Sequence, residues 1–242
     1  MPSMVGPPEF SEKFSSQEAM DVRDNPSAQD AVDEGIEDRG KSEEDMLYVC
    51  GDSHTLTTAW REVTIGTRRW VLRPALVTGL KHWHLRPEGT FYPKKNFERV
   101  LANIPDGSAV VFMFGEIDCR EGILVAVEKL RYDTVQEGMD TTAGIFIKVA
   151  EAAVKARGFR AYIHPVIPVL DETRSMVKAY NRVLRRKVEM SKHLTWLDFF
   201  DDLLDKTGNN LVPEYRLDGT HLSPRYLGLV GKTLGDVWIE AK

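Results

Sequence analysis

Three residues in this chain have the types and order that nucleophilic chemistry needs. Ser53 lies in Tyr48-Val49-Cys50-Gly51-Asp52-Ser53-His54-Thr55, where a short apolar run gives way to a polar turn. Asp218 and His221 lie near the other end, in Asp218-Gly219-Thr220-His221-Leu222-Ser223-Pro224. A serine hydroxyl attacks a carbonyl at neutral pH only when a base takes its proton, and the base needs a third group to orient it. Ser53, His221 and Asp218 can fill those roles. Gly-Asp-Ser is also a common turn tripeptide, because glycine tolerates positive φ and Asp and Ser bond their own backbone. Context raises its weight: Met46 to Cys50 reads as a buried strand, and Leu56, Ala59 and Trp60 can begin a helical turn. The serine then stands at the carboxyl end of a strand, where open α/β sheets bind ligands.

The elements between these blocks alternate. Arg69 to Leu76 reads as extended and leads into a turn at Val77-Thr78-Gly79-Leu80. Pro93 to Ile104 reads as a helix with Phe97, Val100, Leu101 and Ile104 on one face, and Pro105-Asp106-Gly107 ends it. Ala109 to Phe114 is an unbroken apolar run of strand length, as in a parallel strand covered on both faces. Helices are expected over about Val125 to Gln136 and Thr141 to Arg157, with Gly158 as a stop. A strand follows over Arg160 to Val166, then a helix over Glu172 to Ser191 whose Arg182, Arg185, Arg186 and Lys187 form a solvated basic face. Leu194 to Leu197 is a fifth strand, and Pro224 to Ala241 a closing helix with Leu227, Val230, Leu234 and Val237 inward. Strands alternating with helices predict an α/β fold, a parallel sheet with right-handed crossovers and helices on both faces.

The two blocks resemble the first and last sequence blocks of the SGNH (GDSL-like) hydrolases, in which Gly-Asp-Ser opens the domain and Asp-x-x-His closes it. The resemblance covers roughly residues 46–242 and implies a three-layer α/β/α, flavodoxin-like fold with a central parallel sheet. It implies a serine hydrolase that cleaves carboxylic esters through Ser53, His221 and Asp218 and an acyl-enzyme. The expected substrate is a small-molecule or carbohydrate ester, such as an O-acetyl group on a polar alcohol. An acyltransferase on the same scaffold and a catalytically impaired binding protein are the alternatives.

The family's other blocks bear on the oxyanion. The backbone N–H of Ser53 is one implied donor, and a glycine after the second strand gives another. Gly79 is the best-placed candidate, since glycine lets backbone approach substrate closely; it reads equally as a loop glycine. A third block usually runs Gly-x-Asn-Asp, with the Asn as a further donor. Here that place reads Gly115-Glu116-Ile117-Asp118-Cys119-Arg120, so Ile117 stands at the donor position. Arg120 can replace the amide with a guanidinium that favours an anionic substrate or oxyanion; Glu116 and Asp118 can instead hold Arg120 in a structural network; or the site is weak. His54, next to the nucleophile, is expected to line the pocket. His82, His84 and His164 have no supporting carboxylate or cysteine spacing, so no metal and no cofactor are expected. Cys50 and Cys119 are expected to be buried free thiols.

Composition sets the frame. The chain has 242 residues, 42% of them hydrophobic, with five Trp and ten Phe, enough for a sizeable core. Residues 1–46 carry thirteen Asp or Glu against four Lys or Arg, a net of −9, while the remainder, with 24 acidic and 28 basic side chains, carries about +4. Residues 1–45 therefore read as a disordered acidic tail ahead of a domain over 46–242. The positive excess in the domain is too scattered to argue nucleic-acid binding. No apolar run reaches the length of a membrane span, the amino terminus lacks a signal-peptide pattern, and two cysteines suit a reducing compartment. A soluble, cytoplasmic protein is the expectation, with no membrane partner and no oligomeric state implied.

Overall fold

The computed structural model describes residues 46–240. The acidic stretch 1–45 lies outside the described residues, and so does the disorder expected for it. Six strands form one sheet: β1 (Met46–Gly51), β2 (Glu62–Ile65), β3 (Arg68–Leu76), β4 (Ala109–Met113), β5 (Arg160–Ile163) and β6 (Leu194–Trp196), in the order β2-β3-β1-β4-β5-β6. All neighbours pair in parallel except β2 and β3. Strand β2, which the sequence pattern did not suggest, is an antiparallel edge joined to β3 through Gly66 and Thr67. Its Val63 and Ile65 are buried while Glu62 and Thr64 are exposed, the alternation of a strand with one covered face.

Because side chains alternate along a strand, each central strand feeds two cores. Tyr48, Cys50, Val110, Phe112, Ala161 and Ile163 face one way, against Phe97, Phe146, Tyr180 and Leu184. Those partners lie on α1 (Tyr92–Ala102), α3 (Val135–Arg157) and α4 (Arg174–Glu189). Leu47, Val49, Val111, Met113 and Tyr162 face the other way, against Leu197, Phe199, Leu222 and Tyr226 and against Leu227, Val230 and Leu234 of α5 (Leu227–Glu240). The result is a three-layer α/β/α domain. Near-continuous apolar sequence in β1 and β4 follows directly, since both faces are covered.

One expected helix boundary moves. Instead of running to Gln136, α2 (Ile123–Glu128) ends early and Leu130 takes a positive φ of 53°. The next helix then starts at Val135, ahead of the expected Thr141. The Thr134 hydroxyl caps it by accepting from the Glu137 N–H at 3.1 Å, and Gly158 ends it in the left-handed region at φ 65°.

The chain leaves β1 to build β3 on one side and then crosses to β4 on the other. The carboxyl ends of β1 and β4 are thus the topological switch point of the sheet, where this architecture opens a crevice. Among the described residues no helix is long and apolar enough to cross a membrane.

Candidate active site

Ser53 opens a short 3-10 turn, Ser53–Thr57, immediately beyond β1. Asp52 caps that turn: its Oδ1 accepts from the His54 N–H at 3.1 Å, and its carbonyl accepts from the Thr55 hydroxyl at 2.8 Å. Gly51 is needed for the approach. A Cβ there would lie 2.4 Å from the Met113 carbonyl oxygen and 2.7 Å from Thr55 Cγ2, so no other residue fits without movement of the backbone. The Gly-Asp-Ser order is therefore a packing requirement as well as a turn preference.

Asp218 and His221 come from the long irregular segment between β6 and α5. Asp218 Oδ1 accepts from the backbone N–H of Thr220 and of His221, both at 2.6 Å, and its Oδ2 lies 2.9 Å from His221 Nδ1. Those backbone bonds, led by the one from Thr220, hold the Asp218 carboxyl down at about 2. An ionised carboxylate there makes Nδ1 the protonated nitrogen and leaves Nε2 as an acceptor. His221 Nε2 lies 3.2 Å from Ser53 Oγ. The structure thus brings together three residues that are 168 positions apart at the widest. Ser53 and His221 are partly exposed and Asp218 is exposed.

The residues around this series fall into place differently from the sequence expectation. His54 does not line an open pocket; it is buried, with Nε2 3.8 Å from Asp52 Oδ1 and 3.7 Å from Glu116 Oε2, and its ring 5.0 Å from that of His221. Glu116, rather than Ile117, is the side chain of the third block that turns toward the neighbours of Ser53. Gly115 makes this possible: at φ 111° it turns the chain sharply off β4, and a Cβ on it would lie 2.8 Å from Val166 Cγ2. Asp118 is buried. Its carboxylate accepts from the His82 N–H at 2.7 Å and the Trp83 N–H at 3.4 Å, tying down the loop after β3. Burial pushes this carboxyl up to about 7, with those two N–H bonds acting in the other direction. So Asp118 does not hold Arg120, whereas Glu116 does, at 3.6 Å from Arg120 Nη1.

Gly79 occupies the turn after β3 at φ 69°, with the Tyr92 hydroxyl 3.7 Å from where a Cβ would stand. Two residues earlier, Val77 is fixed to β1 by an N–H bond to the Gly51 carbonyl at 2.7 Å. His82 stacks on Phe146, with ring centroids 4.0 Å apart, and bonds the Tyr180 hydroxyl; His164 bonds the Pro165 carbonyl. Burial lowers both imidazoles to about 3, so they serve as neutral core residues. Cys50 and Cys119 are free and buried, and burial raises both thiols far above their ordinary range, which disfavours a thiolate nucleophile. Among the described residues no group of three His, Cys, Asp or Glu is placed to hold a metal ion. The residue that sequence reasoning passed over is Asp52, whose cap on the Ser53–Thr57 turn and approach to His54 were implicit in the Gly-Asp-Ser block.

The six-stranded sheet, crossed at β1 and β4 and covered by helices on both faces, is an SGNH-like three-layer fold, and solved structures share it. The chain is similar to a protein of Streptococcus pneumonia described provisionally as a platelet activating factor, at 15% identity and a TM-score of 0.57, over 83% of this chain and 86% of that one. It is similar to an acetyl xylan esterase at 16% identity and a TM-score of 0.51, over 81% of this chain and 100% of that one. A lipase from a goat rumen metagenome matches at 14% identity and a TM-score of 0.50, over 78% and 95% of the two chains. No family model and no curated protein matches the chain.

Proposed function

We propose that this protein is a serine hydrolase that cleaves carboxylic esters, with Ser53 as nucleophile, His221 as general base and acid, and Asp218 as the orienting carboxylate. The observation that carries this reading is the unbroken series Ser53 Oγ to His221 Nε2 at 3.2 Å and His221 Nδ1 to Asp218 Oδ2 at 2.9 Å, at the switch point of the sheet. Ser53 Oγ attacks the ester carbonyl carbon while its proton passes to His221 Nε2. The oxyanion of the tetrahedral intermediate is taken by backbone N–H groups, for which Ser53 and Gly79 are the proposed sources. His221 then gives its proton to the departing alkoxide, leaving the acyl group on Ser53. Water, deprotonated by His221, attacks the acyl-enzyme carbonyl; His221 then returns that proton to Ser53 Oγ as the second tetrahedral intermediate collapses and releases the acid.

The substrate we propose is a small acyl ester of a carbohydrate or similar polar alcohol; the fold shared with an acetyl xylan esterase supports that choice. The test is labelling by a fluorophosphonate followed by peptide mapping, with turnover of a short-chain chromogenic ester. The label is expected on Ser53, and Ser53→Ala is expected to lower turnover by roughly 10⁴-fold or more. Labelling at Cys50 or Cys119 instead would overturn the assignment.

A further inference from the structure

We propose that Arg120 is a specificity-determining residue that selects esters carrying an additional anionic group, and that the buried series Asp52, His54 and Glu116 positions its guanidinium for that task. This inference rests on the Ser53 reading above and names the substrate class of that same site.

Arg120 stands in the wide helical turn Asp118–Gly122 just beyond β4, on the crevice side of the sheet, with its side chain 40% exposed. Among the described residues its side chain makes one ion pair, to Glu116 Oε2 at 3.6 Å, and no hydrogen bond. Most of its five N–H donors are therefore open to a ligand. Lys81, on the facing loop, is already taken by Glu121 at 2.9 Å.

The carboxylate behind Arg120 is unusual. The Glu116 side chain is 6% exposed, and its Oε2 meets both Arg120 Nη1 and His54 Nε2, at 3.6 and 3.7 Å. His54 Nε2 in turn lies 3.8 Å from Asp52 Oδ1, the same atom that accepts the His54 N–H. A continuous series of polar groups thus runs from the nucleophile's own turn to a half-exposed guanidinium. Buried carboxylates are costly without compensating positive charge, and Arg120 supplies it from the crevice side. Three buried atoms in this series, Asp52 Oδ2, His54 Nδ1 and Glu116 Oε1, have no hydrogen-bond partner among the described residues. Such a cluster serves poorly as a stability device; what it does is set a buried carboxylate beside the Arg120 guanidinium.

A planar fork with free donors matches a carboxylate or phosphate in two parallel bonds. Arg120 makes no hydrogen bond to Ser53 or His221 and meets the site through Glu116 and His54. That position suits a charge elsewhere on the substrate rather than the reacting carbonyl.

The experiment compares kcat/KM on a neutral ester, 4-nitrophenyl acetate, with two anionic ones: mono-4-nitrophenyl succinate, charged on the acyl side, and 4-acetoxybenzoate, charged on the alcohol side. The native enzyme is expected to prefer one anionic ester by about 10-fold or more. Arg120→Ala should lose roughly 10²-fold on that ester, chiefly through KM, and stay within about 2-fold on 4-nitrophenyl acetate. Arg120→Lys, which keeps charge without the fork, should recover only part. Glu116→Gln should lose about 10-fold of the preference, again through KM, at an unchanged melting temperature. Equal loss of kcat on neutral and anionic esters in Arg120→Ala would make Arg120 an oxyanion donor and overturn the proposal, as would a native enzyme with no anionic preference. A preference untouched in Glu116→Gln would remove Glu116 as its positioning residue. Failure of the serine reading is separable, because it shows as absent labelling at Ser53 and absent turnover of every ester. In that event calorimetry of succinate and 4-hydroxybenzoate with the native protein and Arg120→Ala still decides: binding that Arg120→Ala abolishes upholds the anion site, and no binding to the native protein overturns it.

Discussion

The two halves of the proposed catalytic series are built by opposite means. The Ser53 half is packed onto the ends of the sheet: Asp52, His54 and Glu116 around it are all buried, and Gly51 and Gly115 admit no side chain. The Asp218 and His221 half hangs from an irregular segment, with side chains 52% and 27% exposed. Yet Asp218 reaches His221 through bonds closed within four residues, so its geometry needs no core. The proposed nucleophile is located by tertiary packing and the proposed acid-base pair by a local turn. Close packing makes the first intolerant of added volume, whereas the second depends on keeping a few polar atoms.

Perturbing each half should therefore fail in a different way. On the exposed side, Asp218→Asn is expected to lower kcat by up to about 10⁴-fold at an unchanged melting temperature, because it removes the ionised partner that fixes the His221 tautomer. A melting point that fell with activity would show that this turn is a structural support. On the buried side, Asp118 should make stability depend on pH. Its folded value of about 7 lies above the ordinary 3.8, so the native state holds the proton more tightly than the unfolded chain. Stability from this group is present below about pH 4 and is lost as pH rises toward 7, by on the order of 2–4 kcal/mol. Burial shifts Asp52 the same way, while the lowered Asp218 acts mainly below that window. His82 and His164, which burial lowers to about 3, act in the opposite direction over this range, so the difference is the test: urea midpoints should gain more between pH 4 and 7 in Asp118→Asn than in the native protein. Parallel slopes would exclude Asp118 as the source.

Smaller effects sharpen the contrast between two glycines. Gly51→Ala forces a Cβ against the Met113 carbonyl and should cost about 1–3 kcal/mol, read by chemical denaturation, together with activity. Gly219→Ala, between Asp218 and His221, meets nothing within 4 Å and needs no positive φ. It should change stability by no more than about 0.5 kcal/mol and leave turnover near native. If Gly219→Ala proved as damaging as Gly51→Ala, the exposed turn would be as tightly constrained as the sheet.

Much of this was legible in the residues alone. The apolar runs Met46 to Cys50 and Ala109 to Phe114 announced strands covered on both faces, since period and length are local properties. The Asp218-x-x-His221 spacing carried its own geometry because a turn of four residues closes on itself. Edge strand β2 was not read, although Val63 and Ile65 alternate with polar residues and Gly66 marks a hairpin, because four residues give too short a pattern. The start of α3 was legible in the Thr134 and Glu137 pair but was set too late, as Val125 to Gln136 carries helical composition across the break at Leu130. What only the tertiary structure decided is the environment of the third block. Sequence placed Glu116, Asp118 and Arg120 together at a strand end and could not sort them, because which carboxylate is saturated by backbone N–H and which faces His54 depends on a loop 35 residues away and on the turn after β1. Burial and long-range partners belong to the packed chain, and the charges of this site are sorted there.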